Sequence, residues 1–309
     1  MDSIAAPEAL EISSLNAFYR RSNALAKADP PLTVEQRRVV DSHWGDVTAE
    51  PGGVDYRECE LGGVPVLWAV PKDSAERVLL CLHGGGYVGG SVYTHRKLYA
   101  HLAKAAGVRA VLASYSHTPE RQYPTQLDEV TAVYRALLER TRPEHLAVTG
   151  DSAGGGLTVS LMLRARAEGL PLAAALVPIS PWTDLTQSGA SVVTNRATDL
   201  LFGDPYPMSI DGLVAMLLPE GVDPADPLVS PLFADLTGLP PMYVQAGGGE
   251  MLLDDAVRLQ RAAHRHGVEA VLDVTPGEQH TFQMGAGHAA AADAAIARAA
   301  AWLREKLAP

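Results

Sequence analysis

From about residue 60 onward, short apolar runs alternate with longer stretches whose apolar residues recur at helical spacing. The runs at 64–70, 78–82, 109–114, 146–149, 174–179, 242–246 and 270–274 predict strands. The stretches at 99–106, 126–140, 157–168, 256–266 and 289–307 predict helices, the last of them an Ala-rich amphipathic one. Strands alternating with crossover helices are the pattern of an α/β fold. Two stretches stand outside it. Residues 1 to about 50 contain helix-like segments, such as 13–27, ahead of the first strand. Residues 186–227 carry the apolar groups Leu200-Leu201-Phe202, Tyr206-Pro207-Met208 and 213–218 without a strand pattern. An insertion of that kind is either a lid over a site or a decorated loop, and the lid is preferred.

Composition narrows the class. With 309 residues, 47% of them hydrophobic, the chain is long enough for one large domain or a domain with an insertion. A net charge of −11 with scattered Lys and Arg excludes a nucleic-acid partner, which needs a basic surface. Two cysteines, Cys59 and Cys81, make neither a disulfide framework nor a structural zinc site, and Cys81 within the 78–82 run reads as a buried thiol. Residues 1–30 have no unbroken apolar segment followed by a small-residue cleavage site, so the expectation is a cytoplasmic protein with no membrane association.

The chemistry is carried by loops after predicted strands. Gly150-Asp151-Ser152-Ala153-Gly154-Gly155-Gly156 joins the 146–149 run to a helical stretch. Gly-x-Ser-x-Gly at a strand-to-helix turn is a nucleophile elbow, because the nearly side-chain-free flanks let helix and strand pack closely while the serine hydroxyl stays exposed. A serine hydroxyl is a weak nucleophile and needs a neutral imidazole, a group that orients it, and donors for an oxyanion. His83-Gly84-Gly85-Gly86-Tyr87, after the 78–82 strand, offers unobstructed backbone N–H groups for the last role. A phosphate cradle is the rival, but no Gly-x-Gly-x-x-Gly opens a helix there and no Gly-Lys-Ser/Thr follows.

The expected chain order is serine, acid, histidine. His280 follows the last predicted strand and precedes the terminal helix, whereas His264 and His266 lie at a polar helix end, His288 begins the last helix, and His101, His117 and His145 precede the elbow. Glu250 is the first acid beyond the 242–246 strand and is preferred as the orienting carboxylate. Asp254 and Asp255 come one turn later, where a helix start favours carboxylates anyway, and Asp255 and Asp226 stay open as alternatives.

Taken together, these segments resemble the hormone-sensitive-lipase-like branch of the α/β-hydrolases, the bacterial group of small carboxylesterases. The resemblance covers most of the chain and also rests on Ser180-Pro181-Trp182-Thr183-Asp184-Leu185 and Asp226-Pro227-Leu228-Val229-Ser230-Pro231. It implies a mostly parallel sheet flanked by helices, with a helical cap formed by residues 1–50 and 186–227 around a catalytic domain of residues 51–185 and 228–309. It implies a triad of Ser152, Glu250 and His280, an oxyanion hole of the Gly85, Gly86 and Ala153 amides, no metal or organic cofactor, and in many members a homodimer formed through a sheet edge. Two departures stand out. Most members have an aspartate in an Asp-Pro-Leu-x-Asp-Glu setting where this chain has Glu250, and the usual Tyr-Arg-Leu-Ala-Pro-Glu is here Tyr115-Ser116-His117-Thr118-Pro119-Glu120.

The expected function is therefore a serine carboxylesterase that cleaves small, short-acyl esters through an acyl-enzyme. Trp182, Leu201, Phe202, Met208 and Met216 are candidates for the substrate pocket. A lactonase or amidase would use the same machinery. A non-catalytic small-molecule receptor is the third possibility, since a receptor group similar to this family has lost the histidine, and the presence of His280 argues against it. Because the base must be neutral, activity is expected to fall below roughly pH 6 to 7.

Overall fold

In the computed structural model, which describes residues 14–26, 32–203 and 210–307, eight strands form one sheet. They are β1 (Val54–Leu61), β2 (Val64–Pro71), β3 (Val78–Leu82), β4 (Arg109–Ala113), β5 (Leu146–Asp151), β6 (Ala175–Ile179), β7 (Met242–Gly247) and β8 (Ala270–Thr275). The spatial order is β1-β2-β4-β3-β5-β6-β7-β8. Strands β1, β2 and β4 pair antiparallel, and every pairing from β4 through β3 to β8 is parallel.

The helices are α1 (Leu15–Ala26), α2 (Val34–Asp41), α3 (Val92–Ala106), α4 (Thr125–Leu138), α5 (Ala153–Ala167), α6 (Ser191–Thr194), α7 (Ile210–Leu217), α8 (Leu253–Arg265) and α9 (Ala290–Lys306). None among the described residues is long and apolar enough to cross a membrane. The central strands are apolar on both faces because both are covered. Leu80, Leu82, Val111 and Val148 pack toward Val130 of α4, Leu157 of α5 and Leu259 of α8. Their neighbours Leu79, Cys81, Leu112 and Ala147 pack toward Leu98 of α3, Ile296 of α9 and the α1 residues Phe18 and Tyr19.

Strand β1 has no counterpart in the apolar pattern. Its sequence Val-Asp-Tyr-Arg-Glu-Cys-Glu-Leu is mostly exposed at the sheet edge, so no burial imposes an alternation. Helix α3 also starts seven residues before its predicted stretch, at a capping box in which Ser91 and Thr94 satisfy each other's backbone N–H groups. Because β3 and β5 to β8 run parallel, the loops after them open along one edge of the sheet, where ligand sites of such sheets lie.

Candidate active site

Ser152 sits between β5 and α5 at φ 54° and ψ −121°, a backbone conformation that costs about 1–3 kcal/mol unless its surroundings impose it. They do. The Ser152 N–H donates to Ile179 O at 2.9 Å, and its carbonyl accepts from Trp182 N–H at 2.9 Å and Gly156 N–H at 3.1 Å. A Cβ on Gly154 would lie 2.0 Å from Leu82 O, so only glycine lets α5 approach β3 this closely.

The loop after β3 is fastened to the same turn from below. Asp151 Oδ1 accepts from Gly84 N–H at 3.0 Å and from the Tyr99 hydroxyl at 2.6 Å, while Oδ2 lies 3.3 Å from His95 Nε2. Burial works to raise the Asp151 pKa, but His95 and Tyr99 outweigh it and hold the carboxyl below its ordinary range. Gly85 adopts φ +119°, and a Cβ there would come 2.2 Å from Gly89 O. Its carbonyl accepts from Val88 and Gly89 N–H, while the Gly85 and Gly86 amides donate to no group among the described residues. The Ala153 amide opens α5 and has no partner within that helix.

At the other end of the site, His280 Nδ1 lies 2.8 Å from Glu250 Oε2, and neither residue is exposed to solvent. His280 Nε2 has no hydrogen-bond partner among the described residues. Burial pushes the imidazole pKa down, but Glu250 counters it, with Asp199 and Asp151 adding to the effect, so it stands above its ordinary 6.5. Burial raises Glu250 in turn, against the pull of His280 and Ser180.

The other acids are engaged elsewhere. Asp255 accepts from Thr183 and Asp184 N–H at 2.7 and 2.9 Å, with its pKa pushed up to about 7 by burial. Asp254 Oδ2 accepts from Ser191 N–H at 2.9 Å, and the exposed Asp226 accepts from Leu228 N–H at 2.8 Å. Among the described residues, no three His, Cys, Asp or Glu side chains cluster as metal ligands.

A cavity of about 30 Å³ lies beside Ser152, Gly85 and Gly86. Leu201 and Phe202 line it, and the Phe202 ring stands edge-on to His280 with 5.0 Å between centroids. Trp182 and Met216 are not among its lining residues. Trp182 packs 6.3 Å from the Tyr87 ring, and the Met216 carbonyl accepts from Gln122 and Thr118. Met208 lies outside the described residues. The rest of the wall comes from residues that were not pocket candidates in the sequence, including Phe18, Tyr19, Trp44 and Leu213.

Several residues hold these covering segments on the site. The Tyr19 hydroxyl donates to His280 O at 2.8 Å and lies 2.7 Å from Thr281 Oγ1. Asn195 Nδ2 donates to Glu250 O at 2.9 Å. The Gln279 side chain bridges Leu200 N–H and Thr198 O. Asp199 accepts from the N–H groups of Leu201, Phe202 and Met251. Sequence reasoning found none of these four. The helical spacing of 13–27 was the one available signal, and it pointed to the helix of Tyr19, not to its hydroxyl.

The profile of a family described by the alpha/beta hydrolase fold matches residues 79–284. A protein of Streptomyces hygroscopicus named acetyl-hydrolase is 37% identical over 254 residues, which make up 81% of this chain and 82% of that protein. An ethyl acetate hydrolase of Pseudomonas putida is 31% identical over 226 residues, 70% of each. The crystal structure of an esterase from the bacterial hormone-sensitive lipase family superposes with a TM-score of 0.88 at 36% identity, covering 94% of this chain and 96% of that one. The chain belongs to this α/β-hydrolase family, on its branch of hormone-sensitive-lipase-like carboxylic ester hydrolases.

Proposed function

We propose that the protein is a serine carboxylesterase for small, short-acyl esters, with Ser152 as nucleophile, His280 as base and Glu250 as the orienting carboxylate. The observation that carries this reading is the buried His280–Glu250 contact of 2.8 Å, with Nε2 of the same ring left without a partner among the described residues, at the strand-end edge that also holds Ser152. Ser152 Oγ attacks the ester carbonyl as His280 Nε2 takes its proton. Glu250 accepts the Nδ1–H, fixes the tautomer and offsets the imidazolium charge. The Gly85, Gly86 and Ala153 amides receive the oxyanion. His280 then protonates the departing alkoxide, and deacylation repeats the cycle with water as the nucleophile.

The described parts of residues 1–50 and 186–227 act as the cap, and the 30 Å³ cavity under them supports a preference for short acyl groups. The names of the acetyl-hydrolase and ethyl acetate hydrolase relatives point the same way. Hydrolysis of p-nitrophenyl acetate, butyrate and decanoate tests the proposal. The expected result is a rate that falls with acyl length and drops by on the order of 10⁴ or more in Ser152→Ala. Release that survives Ser152→Ala overturns it.

A further inference from the structure

The wall of the cavity beside Ser152 is largely apolar, yet it includes two buried polar atoms that no group among the described residues satisfies. Ser22 is 1% exposed and Trp44 5% exposed; both line the cavity, and neither Ser22 Oγ nor Trp44 Nε1 has a hydrogen-bond partner among the described residues. Apart from Ser152 and the open Gly85 and Gly86 amides, the other polar groups of the wall are occupied. The Tyr19 hydroxyl is bonded to the His280 loop, and Arg37 Nε lies 3.1 Å from Asp41 Oδ1.

Buried polar side chains in folded proteins are nearly always bonded, so two orphans on one small cavity call for a partner from outside the chain. The chemistry of that partner follows from the atoms. An indole N–H can only donate, and a serine hydroxyl can donate as well, so an acceptor oxygen suits either of them. The Arg37 charge is already countered by Asp41, which favours a neutral oxygen over a carboxylate. A volume of about 30 Å³ restricts it to a small group.

We propose that Ser22 and Trp44 form a polar subsite and that the enzyme prefers small esters carrying a second, neutral acceptor oxygen, an ether or a ketone, a few atoms from the scissile carbonyl. This rests on the reading of Ser152 as the nucleophile and adds a substrate class to it.

Isosteric ester pairs test the subsite. On the acyl side, p-nitrophenyl methoxyacetate is compared with p-nitrophenyl butyrate, and on the alcohol side 2-methoxyethyl acetate with butyl acetate. Each kcat/KM is divided by the ester's hydroxide-catalysed rate, so that intrinsic reactivity cancels. The oxygen-bearing member should be favoured by about tenfold in one arm, the scale of one hydrogen bond to an otherwise orphaned donor, and that arm identifies the side of the ester that reaches the subsite. Ser22→Ala and Trp44→Phe should each cut that ratio by about three- to tenfold. Should Trp44→Phe not fold, the ratio in Ser22→Ala decides alone.

A normalised ratio near one in both arms overturns the subsite, as does a ratio that Ser22→Ala leaves unmoved. Such results with Ser152-dependent turnover intact sink only the subsite. Turnover that persists in Ser152→Ala sinks the catalytic reading instead.

Discussion

The strand-end loops and the segments that cover them are held in place by different kinds of bond. In the loops, the backbone does most of the work: Ser152 N–H reaches Ile179 O, Trp182 N–H reaches Ser152 O, and Gly154 is glycine because Leu82 O leaves no room for a Cβ. In the cover, single side chains reach far along the chain: Tyr19 to His280 O, Arg38 to Val88 O, Asn195 to Glu250 O. Backbone-imposed geometry restricts residue type at fixed spacing and so leaves a motif. A side chain that crosses 50 or 261 positions to meet a carbonyl leaves no local pattern.

The contrast is tested most severely at the acid, where loop geometry and alternative carboxylates compete. Glu250→Gln should reduce kcat by on the order of 10⁴, because an amide at that position favours the wrong imidazole tautomer. Asp255→Asn should do far less, since the Asp255 carboxylate is engaged by the Thr183 and Asp184 N–H groups and the Thr183 hydroxyl. If the two results came out reversed, the orienting carboxylate would be Asp255.

The pH profile of kcat/KM carries the same test with a sign. Glu250 lifts the His280 pKa, so the inactive imidazolium persists to higher pH and the acid limb should lie above 6.5. With the glutamate neutralised, burial is left to act on His280, and the residual activity of Glu250→Gln should show its limb at lower pH. A limb that stays in place would separate His280 from Glu250.

How much of this was legible follows the same division. The parallel strands, the elbow at Ser152 and the Gly-rich loop at 83–86 could be read because buried apolar runs and close backbone approaches constrain composition directly. Glu250 could be ranked but not settled against Asp255, because both follow β7 and only folding shows that Asp255 turns toward the 183–184 amides. Strand β1 was missed because an exposed edge has no apolar face, and Asp199 and Gln279 because their partners are backbone groups distant in sequence. The cavity wall was half visible: Leu201 and Phe202 stand out as an apolar cluster, whereas Trp44 lies in a polar stretch.

A smaller effect is expected where the cover meets the His280 loop. Tyr19→Phe keeps the buried ring but leaves the His280 carbonyl and the Thr281 hydroxyl without that partner, a loss of about 1–3 kcal/mol in stability. If Tyr19 only braces the fold, kcat should hold while the melting temperature falls. If it positions His280, kcat should drop with KM nearly unchanged, because the chemical step needs the imidazole placed and substrate binding does not. The second outcome is expected, since the bonded carbonyl belongs to His280 itself.

The smallest effect is expected at Arg38, which stands close to the point where the chain departs from the family's Tyr-Arg-Leu-Ala-Pro-Glu. Ser116, at the position of that arginine, bonds Glu129 through its N–H and hydroxyl at 2.6 Å each. Glu120 is met instead from α2: Arg38 forms a fork with both carboxylate oxygens at 2.7 Å and donates to Val88 O and Thr118 O as well. The arginine holds the Glu120 pKa down to about 2, but Glu120 is solvent-exposed, so screening leaves little of that attraction as stability. The carbonyl bonds matter more, because Val88 lies two residues beyond Gly86 and its N–H donates to Gly85 O. Arg38→Ala should therefore lower stability by about 1 kcal/mol, or a melting temperature drop of ~2–4 °C. Arg38→Lys should recover little of it, since an ammonium cannot span the fork and both carbonyls at once. Added salt distinguishes the two contributions: a wild-type melting temperature that falls to the level of Arg38→Ala in 0.5 M salt would mean that the exposed ion pair, and not the carbonyl bonds, ties α2 to the loop after β3, given a Debye length of only a few ångströms under those conditions.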